Sequence, residues 1–356
     1  MRMLGLTMKR KQWEPVAFAS PSLLLIALVI VFPLAYSFYL SFQNFDLSVG
    51  PDYEFVGGKN YGEAIFRDPR FLGSVWNTAV IIAPSLVLEL LLGLGIAMLL
   101  SRVLHGRPII TALLAIPAMV SPVMAAMAWR MMYGVKYGAI NNLGRQLGIL
   151  DVYFDWFSSP FVSILAVVLV DVWHNTPFMM LVLLAGLQSI PTELYEAARA
   201  DGASAWQRFW SITLPLLKFT MAVGVMIRLI DLTKLFGLIF VLTFGGPGGS
   251  TETVAFTTYL MGFKDFRMSY AAALSYVIVG GVLVLTLVFF WMQRVREARR
   301  PDGDRPRAEC RRDPAREAPP PVAPRRPRPD LPRARRRAGL FPRPLFLDRD
   351  HVAQGQ

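Results

Sequence analysis

The residues of this chain that could do chemistry are ionisable side chains inside long apolar runs. Arg228, Asp231 and Lys234 recur at three-residue spacing, so a helix would place them on one face. Charges at membrane depth are costly unless they face a partner or water. The spacing therefore has two interpretations. Either this face lines a pathway or contacts another subunit, or the residues lie at a helix end near the membrane surface, where Arg228 and Asp231 pair.

Further ionisable residues occur in two other apolar runs. Asp171 and His174 lie three residues apart and could relay protons, as in secondary transporters. We favour a structural interpretation, in which a polar group satisfies a backbone carbonyl freed by a kink at Pro177. For Glu89, a buried hydrogen bond to a neighbouring helix is favoured over contact with a substrate.

Residue types needed for covalent, metal or nucleotide chemistry are sparse. Cys310 is the single cysteine, and the three histidines, His105, His174 and His351, are far apart in sequence. This pattern predicts no metal site, no bound cofactor and no catalytic residue. The net charge of +12 is concentrated near the C-terminus and beside the apolar runs. That distribution argues against nucleic-acid binding, which a charge of this size alone could suggest.

The elements that must position these residues are apolar runs long enough to cross a bilayer. Apolar residues make up 54% of the 356 residues, and the mean hydropathy is +0.42. A run of about 20 apolar residues spans the roughly 30 Å hydrocarbon core as a helix. The composition therefore predicts an all-α membrane protein with six transmembrane helices. The six runs lie near residues 18–41, 74–101, 108–133, 162–188, 216–243 and 272–293.

The orientation of these helices follows from the positions of lysine and arginine. Basic residues are frequent before the first run and after the second, fourth and sixth, for example Lys9, Arg107, Arg208 and Arg296. Because such residues favour the cytoplasmic side, both termini are predicted to be cytoplasmic. The polar segment between the fourth and fifth runs is then cytoplasmic too.

That polar segment, residues 189–215, has strong local signals for two short helices. Pro191 suits a first helical turn, and Gly202 allows the left-handed turn that ends a helix. Ser204 and Gln207 have the spacing of a capping box, so a second helix should begin there. We expect this second helix to stop before Pro215.

The segment resembles the EAA loop of ATP-binding cassette (ABC) importer permeases. The family pattern is Glu-Ala-Ala, three residues, Gly, about nine residues, then Ile-x-Leu-Pro, and every element is present. The ordinary alternative is an amphipathic helix that merely connects two spans. The resemblance implies an ATPase-coupling loop formed by Glu196, Ala197, Ala198, Asp201, Gly202, Ala203, Phe209, Ile212, Leu214 and Pro215.

The resemblance implies a type I ABC importer permease fold and a set of partners. The partners would be a second permease subunit forming a heterodimer, two ABC ATPase subunits and an extracytoplasmic solute-binding protein. The ATPases would hydrolyse the ATP, because this chain has no phosphate-binding loop of its own. Arg228, Asp231 and Lys234 would then line the pathway or contact the second permease.

Other segments are similar to the carbohydrate branch of these permeases. They include Gly58-Lys59-Asn60-Tyr61 and Leu242-Thr243-Phe244-Gly245-Gly246-Pro247, each with one departure, at Lys59 and Phe244. The resemblance implies import of a sugar, oligosaccharide or polyol across the cytoplasmic membrane of a bacterium. An ABC permease for amino acids or phosphate is the nearest alternative. An ion-coupled secondary transporter and a membrane enzyme are alternatives from other classes.

The composition divides the chain into three parts. Residues 1–16 are predicted to be a cytoplasmic N-terminus, and residues 17–297 a transmembrane permease domain. Residues 298–356 are rich in arginine and proline and are predicted to be disordered. This tail is either a polybasic arm attracted to anionic lipid or an extension without selected function. A shifted reading frame in GC-rich DNA would produce such an extension.

Overall fold

The computed structural model describes residues 13–47, 50, 53–102, 106–149 and 153–298, with the backbone alone for 13–17 and 293–298. Most of these residues are helical, as predicted. The helices of the first half are α1 (Trp13–Ile26), α2 (Phe32–Leu40), α3 (Lys59–Phe66), α4 (Pro69–Ser101), α5 (Arg107–Met119), α6 (Pro122–Met132) and α7 (Ala139–Gln146). Those of the second half are α8 (Pro160–Gln188), α9 (Thr192–Ala200), α10 (Ala205–Arg208), α11 (Leu214–Thr233), α12 (Gly237–Leu242), α13 (Val254–Tyr259) and α14 (Met268–Ala298).

Wider π turns extend several of these helices. They cover Ala27–Val31 between α1 and α2, Phe209–Thr213 between α10 and α11, and Leu260–Lys264 after α13. A short antiparallel ribbon of β1 (Gln43–Asn44) and β2 (Glu54–Phe55) pairs Gln43 with Phe55 and Asn44 with Glu54.

Five helices in the described part of the chain are long and apolar enough to cross a membrane. They are Phe18–Leu40, Pro69–Ser101, Pro160–Gln188, Ala205–Thr233 and Met268–Met292. A sixth crossing would require the α5–α6 pair to act as one span. Five of the six predicted runs therefore overlap a helix of spanning length.

The third apolar run, residues 108–133, is not the continuous helix that a single straight span would require. It breaks into α5 and α6, which are bent by 90° relative to each other. Pro117 and Pro122 explain the break, since a proline lacks the N–H of a helical hydrogen bond. Val120 and Ser121, between the helices, are extended.

The fifth run, predicted over residues 216–243, also differs from one span. Its helix begins earlier, at Ala205, and ends at Thr233. Lys234, Leu235 and Phe236 separate it from α12. Backbone that leaves the helix at membrane depth requires a cavity or protein around it. Lys234, Leu235 and Phe236 line a cavity that Arg228 also lines.

Three helices, α4, α8 and α11, pack closely because small residues lie between them. A Cβ atom on Gly93 of α4 would lie 2.9 Å from the Met179 Cγ and 3.0 Å from the Met180 backbone nitrogen of α8. A Cβ on Gly186 of α8 would lie 2.7 Å from the Leu217 Cδ1 of α11. Close approach of this kind is how helices associate in a bilayer.

Near the start of α4, ion pairs connect segments that are far apart in sequence. Arg70 donates to both carboxylate oxygens of Glu252, at 2.9 and 3.0 Å. Arg267 pairs with Glu63 at 2.9 Å, and the Tyr270 hydroxyl donates to the Asp68 Oδ2 at 2.7 Å. Because α4 has 33 residues, this end lies about 50 Å from the other end of that helix.

Most of the predicted N-terminal stretch 1–16 lies outside the described residues, and so does almost all of the tail 298–356. The same holds for Lys9, His105, Cys310, His351 and the side chain of Arg296. The proposed domain boundaries and the disorder of the tail therefore stay predictions.

Close packing at Gly93 generates a test. Gly93→Ala should destabilise the purified protein by about 1–3 kcal/mol, because its methyl group overpacks α8. Gly95→Ala on the same helix is the control, since its Cβ would meet no atom within 4 Å. The thermal unfolding midpoint in detergent measures both. Equal midpoints for the two variants would contradict the α4–α8 packing.

Candidate functional site

The segment between α8 and α11 forms the two-helix structure expected from its sequence. Helix α9 ends at Ala200 with Asp201 as its C-cap, and Gly202 is left-handed, with φ of +78°. The Ala203 N–H donates to the Ala198 carbonyl at 2.9 Å, and the Gly202 N–H to that of Arg199 at 3.1 Å. These two bonds define a Schellman motif, which the αL glycine makes possible.

A capping box begins the next helix, as predicted. The Ser204 hydroxyl accepts from the Gln207 N–H at 3.2 Å, and the Gln207 side chain accepts from the Ser204 N–H at 2.7 Å. The prediction that this helix stops before Pro215 was wrong. A π turn absorbs the missing proline N–H, with the Leu214 N–H bonding five residues back to Phe209. The loop is therefore continuous with α11.

The predicted coupling residues divide into an exposed set and a packed set. Glu196, Ala197, Asp201, Gly202 and Pro215 are exposed, whereas Ala198, Ala203, Phe209, Ile212 and Leu214 are half-buried. Burial places the second set in a structural role. Phe209 and Ile212 pack against the apolar core that α4, α8 and α11 share. The exposed set remains available to a partner.

A side-chain bridge fixes α9 against the start of the fifth spanning helix. The Tyr195 hydroxyl lies 3.0 Å from the Thr213 Oγ1, and Tyr195 also packs on the same apolar core. Together with the Schellman motif and the capping box, this contact makes the loop a rigid unit. Displacement of α9 would therefore be transmitted to α11.

The second feature is a buried ion-pair cluster at mid-helix depth. Arg228 of α11 donates to both oxygens of Glu89 in α4, each at 2.7 Å. It also donates to Asp171 of α8, at 3.0 and 3.3 Å. All three residues are less than 5% exposed. Asn175 donates to the Asp171 Oδ1 at 2.9 Å, so the Asp171 carboxylate accepts hydrogen bonds from two residues.

Asp231 and Lys234 do not join this cluster, although their spacing placed all three on one face. Both are exposed, and Arg228 pairs with Glu89 and Asp171 rather than with Asp231. The interpretation of an Arg228–Asp231 pair at a helix end is therefore wrong. The buried bond predicted for Glu89 is confirmed, with Arg228 as its partner.

A cavity of about 240 Å³ lies beside the ion-pair cluster and is lined by Arg228 and Asp171 but not by Glu89. Its polar lining comes from α8 and from the end of α11, and its remaining lining from the break before α12 and the start of α6. His174 lies on this cavity and its Nε2 is 2.8 Å from the Val120 carbonyl, at the bend between α5 and α6. His174 thus satisfies a carbonyl freed by a kink in α5–α6, not by Pro177. The polar lining residues are Asp171, His174, Asn175, Arg228, Asp231 and Lys234.

The sequence indicated some of the residues of this ion-pair cluster, but not how they pair. Glu89, Asp171 and Arg228 are ionisable residues in three different apolar runs, and opposite charges at membrane depth are costly unless they find a partner. Nothing in the sequence specified which of them pair, because pairing depends on how α4, α8 and α11 are rotated.

Comparison with known proteins identifies the class. Residues 89–300 match the family described as "Binding-protein-dependent transport system inner membrane component". The chain belongs to this family.

Individual relatives extend the match over most of the chain. The trehalose/maltose transport system permease protein MalF of Thermococcus litoralis is 39% identical over 280 residues, 78% of this chain and 92% of the relative. The sulfoquinovosyl glycerol transport system permease protein SmoG of Agrobacterium fabrum is 34% identical, over 79% and 91%. The trehalose transport system permease protein SugA of Mycobacterium tuberculosis is 32% identical, over 76% and 85%.

The fold is similar to that of solved importer structures. A crystal structure of a bacterial ABC transporter that imports the acidic polysaccharide alginate superposes with a TM-score of 0.69. The two chains are 22% identical, with 80% of this chain and 96% of the other covered. The protein is therefore a multi-pass permease subunit of an ABC importer, a transport component and not itself an enzyme.

The ion-pair cluster predicts a large stability effect. Arg228→Met should destabilise the protein by about 3–5 kcal/mol, because two buried carboxylates lose their counter-ion. Neutralising all three residues, as Arg228→Met/Glu89→Gln/Asp171→Asn, should recover much of the loss. Thermal unfolding in detergent measures both variants. The exposed Lys234→Gln is the control and should change the midpoint little. An unchanged midpoint for Arg228→Met would contradict the buried cluster.

Proposed function

We propose that this chain is one of two permease subunits that translocate a carbohydrate-type solute, driven by ATP hydrolysis in partner subunits. The observation that carries the proposal is the rigid loop at residues 189–215, which presents Glu196, Ala197 and Gly202 to solvent. Small side chains allow a partner backbone to approach closely, and Glu196 offers a carboxylate to a basic residue. The loop is the docking surface for an ABC ATPase.

The rigid connection explains how docking would move the membrane part. Helix α9 is tied to Thr213, and the following helix runs unbroken from Ala205 to Thr233. Arg228 lies on that helix, 23 residues after Ala205 and about 35 Å along the axis. Movement of the loop by closing ATPases would therefore reach the buried cluster and the cavity directly.

The cavity at Arg228 is the proposed part of the translocation pathway in this subunit. It lies beside two interruptions of membrane helices, one between α5 and α6 and one at Lys234–Phe236. Irregular backbone at this depth is tolerated where it lines a water-filled cavity. Its amide, carboxylate and ammonium groups suit the hydroxyl groups of a carbohydrate. Asp231 and Lys234, exposed on its wall, are the proposed solute contacts, or contacts to the second permease.

The carbohydrate class is supported by the names of the relatives. Trehalose, maltose and sulfoquinovosyl glycerol occur in the names of three permeases that cover most of this chain. They favour a carbohydrate over amino acids or phosphate. An ion-coupled secondary transporter is disfavoured by membership of the binding-protein-dependent family.

The family and one solved neighbour support a proposal for the full assembly. One solved relative is described as a bacterial alginate ABC transporter in complex with a pentasaccharide-bound periplasmic protein. We propose the same kinds of partner here: a second permease forming a heterodimer, two ATPase subunits and an extracytoplasmic solute-binding protein. In the cytoplasmic membrane of a bacterium, the α5–α6 pair would be the third of six spans, and both termini would be cytoplasmic. The chain itself would bind no cofactor.

The coupling function predicts loss of stimulated ATP hydrolysis. Glu196→Lys should abolish solute-stimulated ATPase activity of the assembled complex while the protein stays in the membrane. Gly202→Val should do the same, because a non-glycine residue in this left-handed position costs about 1–2 kcal/mol.

Matched variants distinguish coupling from general damage. Glu54→Lys reverses an exposed charge at the other end of the molecule. Gly148→Val introduces the same strain at a left-handed glycine with φ of +69° and open surroundings. Both should retain stimulated hydrolysis. Normal uptake by Glu196→Lys and Gly202→Val would overturn the docking assignment.

The proposed orientation has its own test. After Cys310 is replaced by serine, the chain contains no other cysteine. A cysteine at the exposed Glu54 should then react with an impermeant thiol reagent added outside intact cells. A cysteine at the exposed Ser204 should react only after the cells are opened. Labelling of Ser204→Cys from outside would contradict a cytoplasmic loop.

A further inference from the structure

A second polar cavity lies behind the loop, on the side facing the membrane helices. Its volume is about 500 Å³. The ends of α4 and α8 form one wall, through Met98, Ser101 and Leu187, and the loop helices form the other, through Tyr195 and Phe209. It does not include the exposed docking residues Glu196 and Gly202.

The charges of this cavity are of one sign. Arg102, Arg199 and Arg208 all line it, and no carboxylate does so among the described residues. None of the three has an acidic side chain within ion-pair distance in the described ranges. Arg199 donates from its Nε to the Tyr195 carbonyl at 3.3 Å, and Arg208 to the Ala203 carbonyl. Their remaining N–H groups have no described acceptor.

Neutral polar groups also line the cavity, namely the side chains of Ser101, Gln188, Thr192 and Thr213. The Ser101 hydroxyl donates to the Met98 carbonyl, and that of Thr213 lies 3.0 Å from the Tyr195 hydroxyl, so Gln188 and Thr192 are the neutral donors left for a ligand. Guanidinium groups together with hydroxyl donors are the chemistry that binds phosphate, because arginine offers paired N–H groups to its oxygens. The cavity therefore fits a phosphate group better than a neutral or cationic ligand.

The position of the cavity indicates which phosphate. It lies where two membrane-spanning helices end, at Ser101 and Gln188, and thus at the level of lipid headgroups. Its apolar lining continues from the helices through Met98, Leu187 and Phe209. Next to it, Trp206 and Trp210 are 68% and 51% exposed, and tryptophan prefers the membrane interface.

We propose that this cavity binds the headgroup phosphate of an anionic phospholipid, with Arg102, Arg199 and Arg208 as the recognising cations. A bound lipid would fill the space between the loop and the ends of α4 and α8. It would thus hold the loop at a fixed height relative to the membrane. This site is separate from both the docking surface and the cavity at Arg228.

Native mass spectrometry of the full chain in detergent tests the site. The probes are phosphatidylglycerol, phosphatidylcholine and inorganic phosphate. The test variant is Arg102→Gln/Arg199→Gln, which leaves Arg208 and its bond to Ala203 in place. The control, Arg107→Gln/Lys218→Gln, removes two charges that do not line the cavity. The test variant should weaken phosphatidylglycerol binding about tenfold or more, and the control should not.

Each result decides the proposal. Wild-type preference for phosphatidylglycerol over phosphatidylcholine, lost only in the test variant, supports it. Equal binding of the two lipids, or equal loss in the control, overturns it. Binding of inorganic phosphate without phosphatidylglycerol overturns the lipid assignment in favour of a soluble anion. Arg102→Lys/Arg199→Lys keeps both charges but loses the paired N–H groups, so it should bind phosphatidylglycerol more weakly than the wild type and more tightly than the test variant. Loss of binding in that variant would also count against the site.

Discussion

The arrangement of the membrane helices depends on the ion pairs that the Arg228 guanidinium makes. The guanidinium holds carboxylates from two other helices, Glu89 of α4 and Asp171 of α8, at a depth where none of the three is exposed. A charge in this environment has few alternatives to a partner. The pairing therefore fixes how α4, α8 and α11 are rotated about their axes. The close approaches at Gly93 and Gly186 then follow, because they require the same faces to meet.

The same rotation explains why the broken helices are tolerated. The α5–α6 bend and the gap after Thr233 both leave backbone groups without helical partners. His174 lies near the carbonyl of Val120 at the first of these breaks, and the second lies on the cavity. His174 and Asp171 share α8, so the cluster that orders the helices also positions the group that satisfies the bend. Structure and proposed pathway thus use one set of residues.

Local signals in the sequence predicted local structure well, and long-range pairing poorly. Gly202 and the Ser204–Gln207 box were identified because their hydrogen bonds close within a few residues. Pro215 did not end the helix as predicted, because a π turn at Phe209–Thr213 accommodates the proline. The spacing of Arg228, Asp231 and Lys234 predicted one face of a helix, but α11 ends at Thr233, before Lys234. The spacing also did not predict that Arg228 alone would be buried, because α4 and α8 lie far away in sequence.

The continuity of the fifth spanning helix connects the two proposed functions of the chain. If the helix had stopped before Pro215, the loop would be hinged, and displacement of α9 would be lost in a flexible joint. Instead, the π turn keeps helical hydrogen bonding through residues 209–213 while Tyr195 bonds to Thr213. A rigid rod then leads from the docking surface to Arg228. Because packed interiors respond to force by switching between discrete arrangements, the buried cluster is where motion of the loop would alter the cavity.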